Sequence, residues 1–388
     1  MAWLADDERR LVWMTLAVKI ALLAIGAWAY VLFRQHVFDD PRDLLAMWSR
    51  WDAPHYLDIV VFGYRAVDDG SLIGPNGYRS VYPGDLPLYI VFYPLYPWLS
   101  TAVNALVGDP LVSAFVVTTA ASLFVAPLLY RLVRHDEEAG VAMRAAWFLL
   151  IFPTAYFLHI GYTEALFMAL VLGSFLAARI ERWWLAGLLG GLAALTRVNG
   201  LILVPALAAE AFMQWLARPP GERRLRVEWL AIGLVGVGFG IYLGLNLAVY
   251  GNPLEFLRIQ DDHWFKSLAP PWEGIGGIFD WIGNQDADNA LMLGWMELLF
   301  VAIGLAGTIH AAFRFRPSWF AWMAGNWLLF VSTAFVVSVP RYALTLFPLY
   351  VSLAVLSRRT LVLVALSAVS IAGLVYFTGR FATGVWAF

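Results

Sequence analysis

One short stretch of the chain gathers a carboxylate, an imidazole, a phenol, an indole and a guanidinium: Ser49-Arg50-Trp51-Asp52-Ala53-Pro54-His55-Tyr56. It follows a first apolar run and opens a long polar segment, which places Asp52 at a membrane surface, on the side away from the cytoplasm. Three further ionisable groups stand where apolar sequence dominates. Glu164 follows Gly161-Tyr162-Thr163, Arg197 lies in Leu195-Thr196-Arg197-Val198-Asn199-Gly200, and Arg341 lies in Pro340-Arg341-Tyr342. An ionised group at such depth costs roughly several kcal/mol unless it is paired or wet. Carboxylates and guanidinium groups collected beside apolar helices suit a lipid phosphate with a group to be activated next to it. The plainer alternative is an ordinary interhelical ion pair between Glu164 and either arginine. Other polar residues carry less. His159 reads as a packed, hydrogen-bonded histidine, and Asp39, Asp40, Asp43, Asp68 and Asp69 as solvated loop carboxylates. Gly187, Gly190 and Gly191 read as small-residue helix contacts, and Pro153 and Pro205 as kinks or helix ends. Asp261-Asp262-His263 has metal-ligand residue types, but neighbouring side chains rarely converge on one ion, so no metal site is expected.

The elements that position these residues are membrane helices. The chain of 388 residues is 61% hydrophobic and 14% charged, against about 45–50% and about 25% in soluble domains. Apolar runs recur near the ~20 residues that cross a bilayer core as a helix. The fold expected is an all-α polytopic membrane protein, a single integral-membrane domain over 1–388. Spans near 11–33, 111–133, 142–160, 162–180, 183–198, 200–217, 229–250, 291–313, 319–337, 341–356 and 360–378 make about eleven crossings. The acidic start, Asp6-Asp7-Glu8, is unlike a signal peptide, so Leu11–Phe33 is expected to be an uncleaved first helix. With the N-terminus inside, Arg131, Arg134, Arg144, Arg179, Arg182, Arg218, Arg223, Arg224, Arg226, Arg314, Arg316, Arg358 and Arg359 all flank cytoplasmic ends, as the positive-inside bias requires. Two long segments, 34–110 and 251–290, then lie outside, and 89–107 stays outside as a re-entrant or interfacial element. Both are rich in aromatic residues, and Trp264, Trp272 and Trp281 suit the lipid–water interface. There is no cysteine, hence no disulfide or thiolate, and no basic tail that would point to nucleic acid.

The ordered motifs carry a resemblance. Trp51-Asp52-Ala53-x-His55-Tyr56-x-x-Ile59 leading to Gly63-Tyr64, then Phe92-Tyr93-Pro94-Leu95-Tyr96-Pro97, resembles the PIG-V family, the second mannosyltransferases of GPI-anchor synthesis and their bacterial relatives. Gly161-Tyr162-Thr163-Glu164-Ala165-Leu166-Phe167 is similar to that family's Tyr-Ser/Thr-Glu element, Thr196-Arg197-x-Asn199-Gly200 to its Thr-Arg-x-Asn-Gly element, and Arg341-Tyr342 with Phe347-Pro348 to a late Arg-aromatic segment. In order these cover roughly residues 45 to 350.

The resemblance implies a GT-C-type helical bundle and a polyprenyl-phosphate sugar donor, used on the extracytoplasmic face of the membrane, here a bacterial plasma membrane. It implies that Asp52 is the general base, with Asp58 and Asp85 as secondary candidates, and that a hexose, mannose by family, is transferred with inversion. The acceptor would be a glycolipid, a glycan or a protein. On this scheme Arg341 and Arg197 bind the donor phosphate, while Trp51, His55, Tyr56, Tyr162, Glu164, Asn199 and Tyr342 bind or orient substrate. No cofactor is expected, nor a divalent metal, because the donor already carries its activated leaving group. Two other classes fit part of the pattern. A lipid-linked sugar transporter or flippase would use intramembrane Glu and Arg with broken helices, but would place them near mid-membrane and would often show a repeat. A non-catalytic assembly subunit would keep the helices without needing the Trp-Asp loop.

Overall fold

The computed structural model describes residues 6–34 and 38–388. Among them there is no β-strand, only an isolated bridge pair, Leu268 with Thr333. The all-α polytopic architecture expected from the sequence is borne out. Six helical stretches are long and apolar enough to cross a membrane: Asp6–Arg34, Pro110–Val133, Val198–Leu216, Val227–Tyr250, Ala287–Arg314 and Thr360–Ala382. The protein is an integral membrane protein.

Helix α1 (Asp6–Arg34) is followed by the large loop. It carries α2 (Asp43–Ala46), α3 (Asp52–Phe62) and α4 (Leu95–Val107). At 13 residues, α4 is about 20 Å long, short of a bilayer core. It ends at Gly108, whose φ of 75° closes the helix in the left-handed conformation that glycine adopts without steric cost. The next helix, α5 (Pro110–Val133), starts at once. Asp109 caps it by accepting from the N–H groups of Leu111 and Val112, and Pro110 occupies the first turn, where a missing N–H costs nothing. Asp109 also pairs with Arg42 at 2.5 Å, which ties the start of the loop to the start of α5.

Beyond α5 the bundle is built from shorter rods: α6 (Ala139–Leu150), α7 (Glu164–Arg179), α8 (Trp183–Ala194), α9 (Leu203–Leu216) and α10 (Gly233–Tyr250). The second loop carries α11 (Glu255–Trp264), α12 (Pro271–Gly283) and the short α13 (Ala287–Ala290). It is followed by α14 (Met296–Arg314), α15 (Pro317–Val331), α16 (Val339–Ala343), α17 (Phe347–Leu356) and α18 (Thr360–Ala382). Several spans expected to be continuous are not. The helix expected over 142–160 stops at Leu150 and gives way to a turn containing Pro153 and a single 3₁₀ turn, Ala155–Leu158. The helix expected over 183–198 stops at Ala194, and Arg197 is fully extended (φ −156°, ψ 148°). The helix expected over 319–337 stops at Val331, and a five-residue turn, α16, precedes α17. Irregular backbone at membrane depth is tolerated only where protein or water satisfies its polar groups. All three breaks lie at the same end of the bundle.

The opposite end is cross-braced. Arg179 and Arg316 both reach the fully buried Glu210, at 3.3 and 2.8 Å, and Arg179 also holds Asp136 at 2.6 Å. Arg131 pairs with Glu8, joining the end of α5 to the start of α1. The arginines read as flanking one membrane side therefore do gather at one end. Close helix contacts follow the glycines, as expected: a Cβ on Gly187 would meet the Ala231 carbonyl oxygen at 1.9 Å, and one on Gly238 would meet that of Gly191 at 1.9 Å.

Gly238→Ala should therefore force α8 and α10 apart, at a cost of about 1–3 kcal/mol. Gly240→Ala on the same helix meets nothing within 4 Å and should leave stability unchanged or slightly raised. Melting midpoints of the two variants in one detergent test this; equal midpoints would contradict it.

Candidate active site

Asp52 is the first residue of α3, and the residue before it holds an unusual backbone: Trp51 has φ 53° and ψ −109°. Such a conformation costs about 1–3 kcal/mol for a residue with a Cβ and persists only when neighbours hold it. The Arg50 carbonyl accepts 2.6 Å from the Tyr162 hydroxyl and 3.0 Å from the Ala53 N–H. The Trp51 ring meets Trp386 edge-on at 4.8 Å. The turn thus aims Asp52 into the bundle.

The Asp52 carboxylate meets Arg341 there. The Arg341 guanidinium gives Nη1 to Asp52 Oδ2 at 2.5 Å and Nε to Glu164 Oε1 at 2.6 Å. Arg197 reaches the same Glu164 oxygen through Nη1 at 2.5 Å and donates to the Thr163 hydroxyl at 2.8 Å. Each broken helix contributes one member: Glu164 opens α7, Arg197 lies past the end of α8, and Arg341 sits on α16. Glu164 is not one half of a simple pair; it holds both arginines at once. Its position in the first turn of α7 adds the favourable field of a helix N-terminus. Aromatic faces complete the enclosure, with Arg341 4.8 Å from the Phe157 ring centroid and 4.7 Å from that of Tyr162.

Arg341 is held in place from behind. Glu297 of α14 is fully buried, and its two oxygens accept from the N–H groups of Ser338 and Val339, at 2.8 and 2.7 Å. Those are the otherwise orphaned donors at the start of α16, whose entry residue Ser338 has φ 68°. Glu297 was missed by sequence reasoning. A lone acidic residue in the apolar run 291–313 was the available signal, the same one that singled out Glu164.

Asp52 is 29% exposed at its side chain, whereas Glu164 is fully buried. Burial alone would raise the Asp52 pKa, but the charge and hydrogen bond of Arg341, with smaller help from His55 and Arg197, hold the carboxyl below the usual range. Its Oδ2 is engaged; Oδ1 has no hydrogen-bond partner among the described residues. His55 lies one helical turn on, stacked between Tyr82 (5.3 Å) and Phe92 (5.0 Å) and edge-on to Tyr89. Burial depresses its pKa against the opposing pull of Asp52 and Asp85, so the ring is neutral near pH 7. Tyr56 packs on Phe92, Tyr96 and Tyr162.

The remaining sequence candidates divide. Tyr342 joins the cluster: its ring lies 5.5 Å from the Arg197 guanidinium and its hydroxyl accepts from Lys266 at 2.7 Å. Asn199 does not; its amide donates 2.9 Å to Asn326 on α15 and braces two helices. Tyr162 is buried, with its hydroxyl committed to Arg50. Asp58 is buried in the loop and accepts from Ser80, Tyr78 and Tyr89 at 2.6, 2.8 and 3.4 Å. Burial pushes its carboxyl up despite these bonds; it ties the loop together. Asp85 precedes the 3₁₀ turn Leu86–Val91 and makes no capping bond. His159 is buried but, contrary to expectation, neither ring nitrogen has a hydrogen-bond partner. Asp262 pairs with Arg258 at 2.6 Å.

Comparison with known proteins bears on this arrangement. Residues 87–245 match the family profile described as dolichyl-phosphate-mannose-protein mannosyltransferase. The chain is 30% identical over 225 residues to GPI alpha-1,6-mannosyltransferase 2 of Rattus norvegicus, covering 53% of this chain and 43% of that protein. It is 34% identical over 165 residues to the Mus musculus protein of the same name, covering 41% and 30%. The matches thus span less than half the length of these relatives. The structure is also similar to that of the apo oligosaccharyltransferase of Archaeoglobus fulgidus, with a TM-score of 0.49, 12% identity, and coverage of 96% of this chain and 56% of that one. The resemblance to PIG-V-like mannosyltransferases read from the motifs is borne out by the family and relative matches.

Removing one partner from a buried ion network costs about 3–5 kcal/mol. Glu164→Gln should therefore lower the melting midpoint more than Asp52→Asn, and similar losses would argue against Glu164 as the shared anchor. The Asp52 carboxyl is depressed in the folded state, so its pair with Arg341 stabilises above the unfolded value of about 3.9. That stability is lost as pH falls through the lower folded value. The midpoint gap between wild type and Asp52→Asn should accordingly close in strong acid.

Proposed function

We propose that the protein is a membrane glycosyltransferase. It transfers a hexose, most simply mannose, from a polyprenyl-phosphate donor to an acceptor hydroxyl on the extracytoplasmic face, with inversion. Acceptors within the scheme are a glycolipid, a glycan or a protein. The observation that carries this reading is the Asp52–Arg341–Glu164–Arg197 cluster: one partly exposed carboxylate beside two guanidinium groups, at the ends of three broken membrane helices. The names of the relatives, GPI alpha-1,6-mannosyltransferase 2, support mannose as the sugar. The sidedness is supported by the arginines braced at the opposite end, since basic residues favour the cytoplasmic side.

An acceptor hydroxyl is a poor nucleophile until a base takes its proton in the transition state. Asp52 is oriented for this, because Arg341 fixes Oδ2 and leaves Oδ1 to face the acceptor. The acceptor oxygen bonds to the anomeric carbon as the carbon–oxygen bond to phosphate breaks on the opposite face. The proton passes to Asp52, and the electron pair leaves with the prenyl phosphate. The growing phosphate charge needs compensation, which Arg341 and Arg197 supply. With that charge met by guanidinium groups, the scheme uses no divalent ion. Neutral His55 and Tyr56 orient Asp52 or hold sugar hydroxyls, and the partly exposed Trp51 ring offers a face for a sugar.

The test uses purified protein in nanodiscs with radiolabelled polyprenyl-phosphate mannose and a membrane extract as acceptor. Wild type should transfer label. Asp52→Asn should lose roughly a hundred- to ten-thousand-fold in rate, the usual worth of a general base, while still binding donor. Undiminished transfer by Asp52→Asn would remove Asp52 as the base and turn attention to Asp85. Absence of donor binding in wild type would remove the glycosyltransferase itself.

A further inference from the structure

The chain has 26 Lys and Arg residues, of which only Lys19 and Lys266 are lysines. Lys19 lies within α1 and is spent on the Thr119 hydroxyl and the His159 carbonyl, both at 2.8 Å. Lys266 stands beside the site. Its Nζ donates to the Tyr342 hydroxyl at 2.7 Å and lies 4.9 Å from that ring's centroid. On the same ring sits Arg197, at 5.5 Å. We propose that Lys266 makes the first contact with the donor's phosphate, ahead of the arginines that meet the charge growing on it, a role that rests on the glycosyltransferase reading above.

The argument is one of charge. Arg341 and Arg197 face Asp52 and Glu164, two cations against two anions in direct contact. That group is neutral at rest: each guanidinium charge is already met by a carboxylate, so the cluster has no net charge with which to draw in an anion. Among the described residues, Lys266 has no carboxylate oxygen within 4.0 Å. Glu297, the acidic residue that feels its charge, has both oxygens committed to the Ser338 and Val339 amides. An ammonium has three donors, and one phenol takes one of them. Lys266 therefore has a charge and hydrogen-bonding capacity to offer an incoming monoester or diester phosphate.

Its position is fixed by the fold. Lys266 N–H bonds to the Gln260 carbonyl at 3.1 Å, closing α11. The following residues pair with the segment that leads into α16: Ala334 N–H to the Ser267 carbonyl at 2.9 Å, and Ala269 N–H to the Ser332 carbonyl at 3.2 Å. The second loop thus delivers one cation to the site through a backbone link to the strand-like stretch before Arg341. A compact ammonium suits this task, since it meets a phosphate oxygen as a point charge from any direction.

Binding of a polyprenyl phosphate and of the prenol of equal chain length tests the proposal, measured on wild type, Lys266→Met and Lys266→Arg in nanodiscs by tryptophan fluorescence. Wild type should favour the phosphate. Lys266→Met should lose at least about tenfold of that preference, the order expected for one charge-assisted hydrogen bond, with prenol affinity unchanged. Lys266→Arg should keep most of it. A full phosphate preference in Lys266→Met would overturn the role, as would a loss of prenol binding in parallel, which would mark Lys266 as structural. A wild type that does not distinguish the two lipids would defeat the glycosyltransferase reading together with the lysine.

Discussion

A single guanidinium holds this site together. Arg341 bridges a carboxylate from the first loop and a carboxylate from the start of α7, and both bonds lie in a region where an unpaired charge would be expensive. Remove it and Asp52 faces water while Glu164 keeps only Arg197. The flanking order serves this one side chain. Glu297 caps the five-residue turn that presents it, Phe157 and Tyr162 line its faces, and Tyr162 reaches back to the Arg50 carbonyl to set the Trp51–Asp52 turn. A loop, a helix start and a helix end are thereby locked to one another by interactions that converge within one residue's reach.

The broken helices explain how such polar chemistry coexists with an apolar chain. An unbroken α-helix spends every backbone group internally and leaves only side chains to face a partner. Where α6, α8 and α15 stop short, backbone amides and carbonyls become available, and the structure uses them at once: the Ile151 carbonyl for the Ser370 hydroxyl, the Leu195 carbonyl for the Leu95 N–H, the Pro340 carbonyl for the Thr154 hydroxyl. The polar interior of the site is built as much from these freed groups as from charged side chains.

Much of this was legible in the sequence. Composition and apolar run length gave the class, and the placement of arginines told the two ends apart. Glu164, Arg197 and Arg341 were visible because a charge in apolar sequence needs a reason, and Asp52 because of its aromatic and basic neighbours. Other features were not legible. Helix interruption at Leu150, Ala194 and Val331 follows from tertiary partners that satisfy the released backbone, not from local propensity; only Pro153 hinted at one break. Asn199 sits in the same motif as Arg197, yet it lies in the 3₁₀ turn Val198–Ile202 that follows the extended Arg197, and its side chain finds Asn326. Motif membership placed it near the site, and backbone direction turned it away. Glu297 obeyed the rule that exposed Glu164, and Lys266 was hidden in a loop whose tryptophans drew the eye to the membrane interface.

The bracing of the far end has a mechanical corollary. Glu210 gathers Arg179, Arg316 and Ser318, and the neighbouring Asp136 and Glu137 add ties to Arg179 and Arg314. Rods clamped at one end and interrupted at the other bend most easily beyond the clamp. Compliance is thereby concentrated on the half of the molecule that carries the candidate site. The arginine-rich end works as a fixed base, against which the opposite end is able to open and reclose without the bundle coming apart.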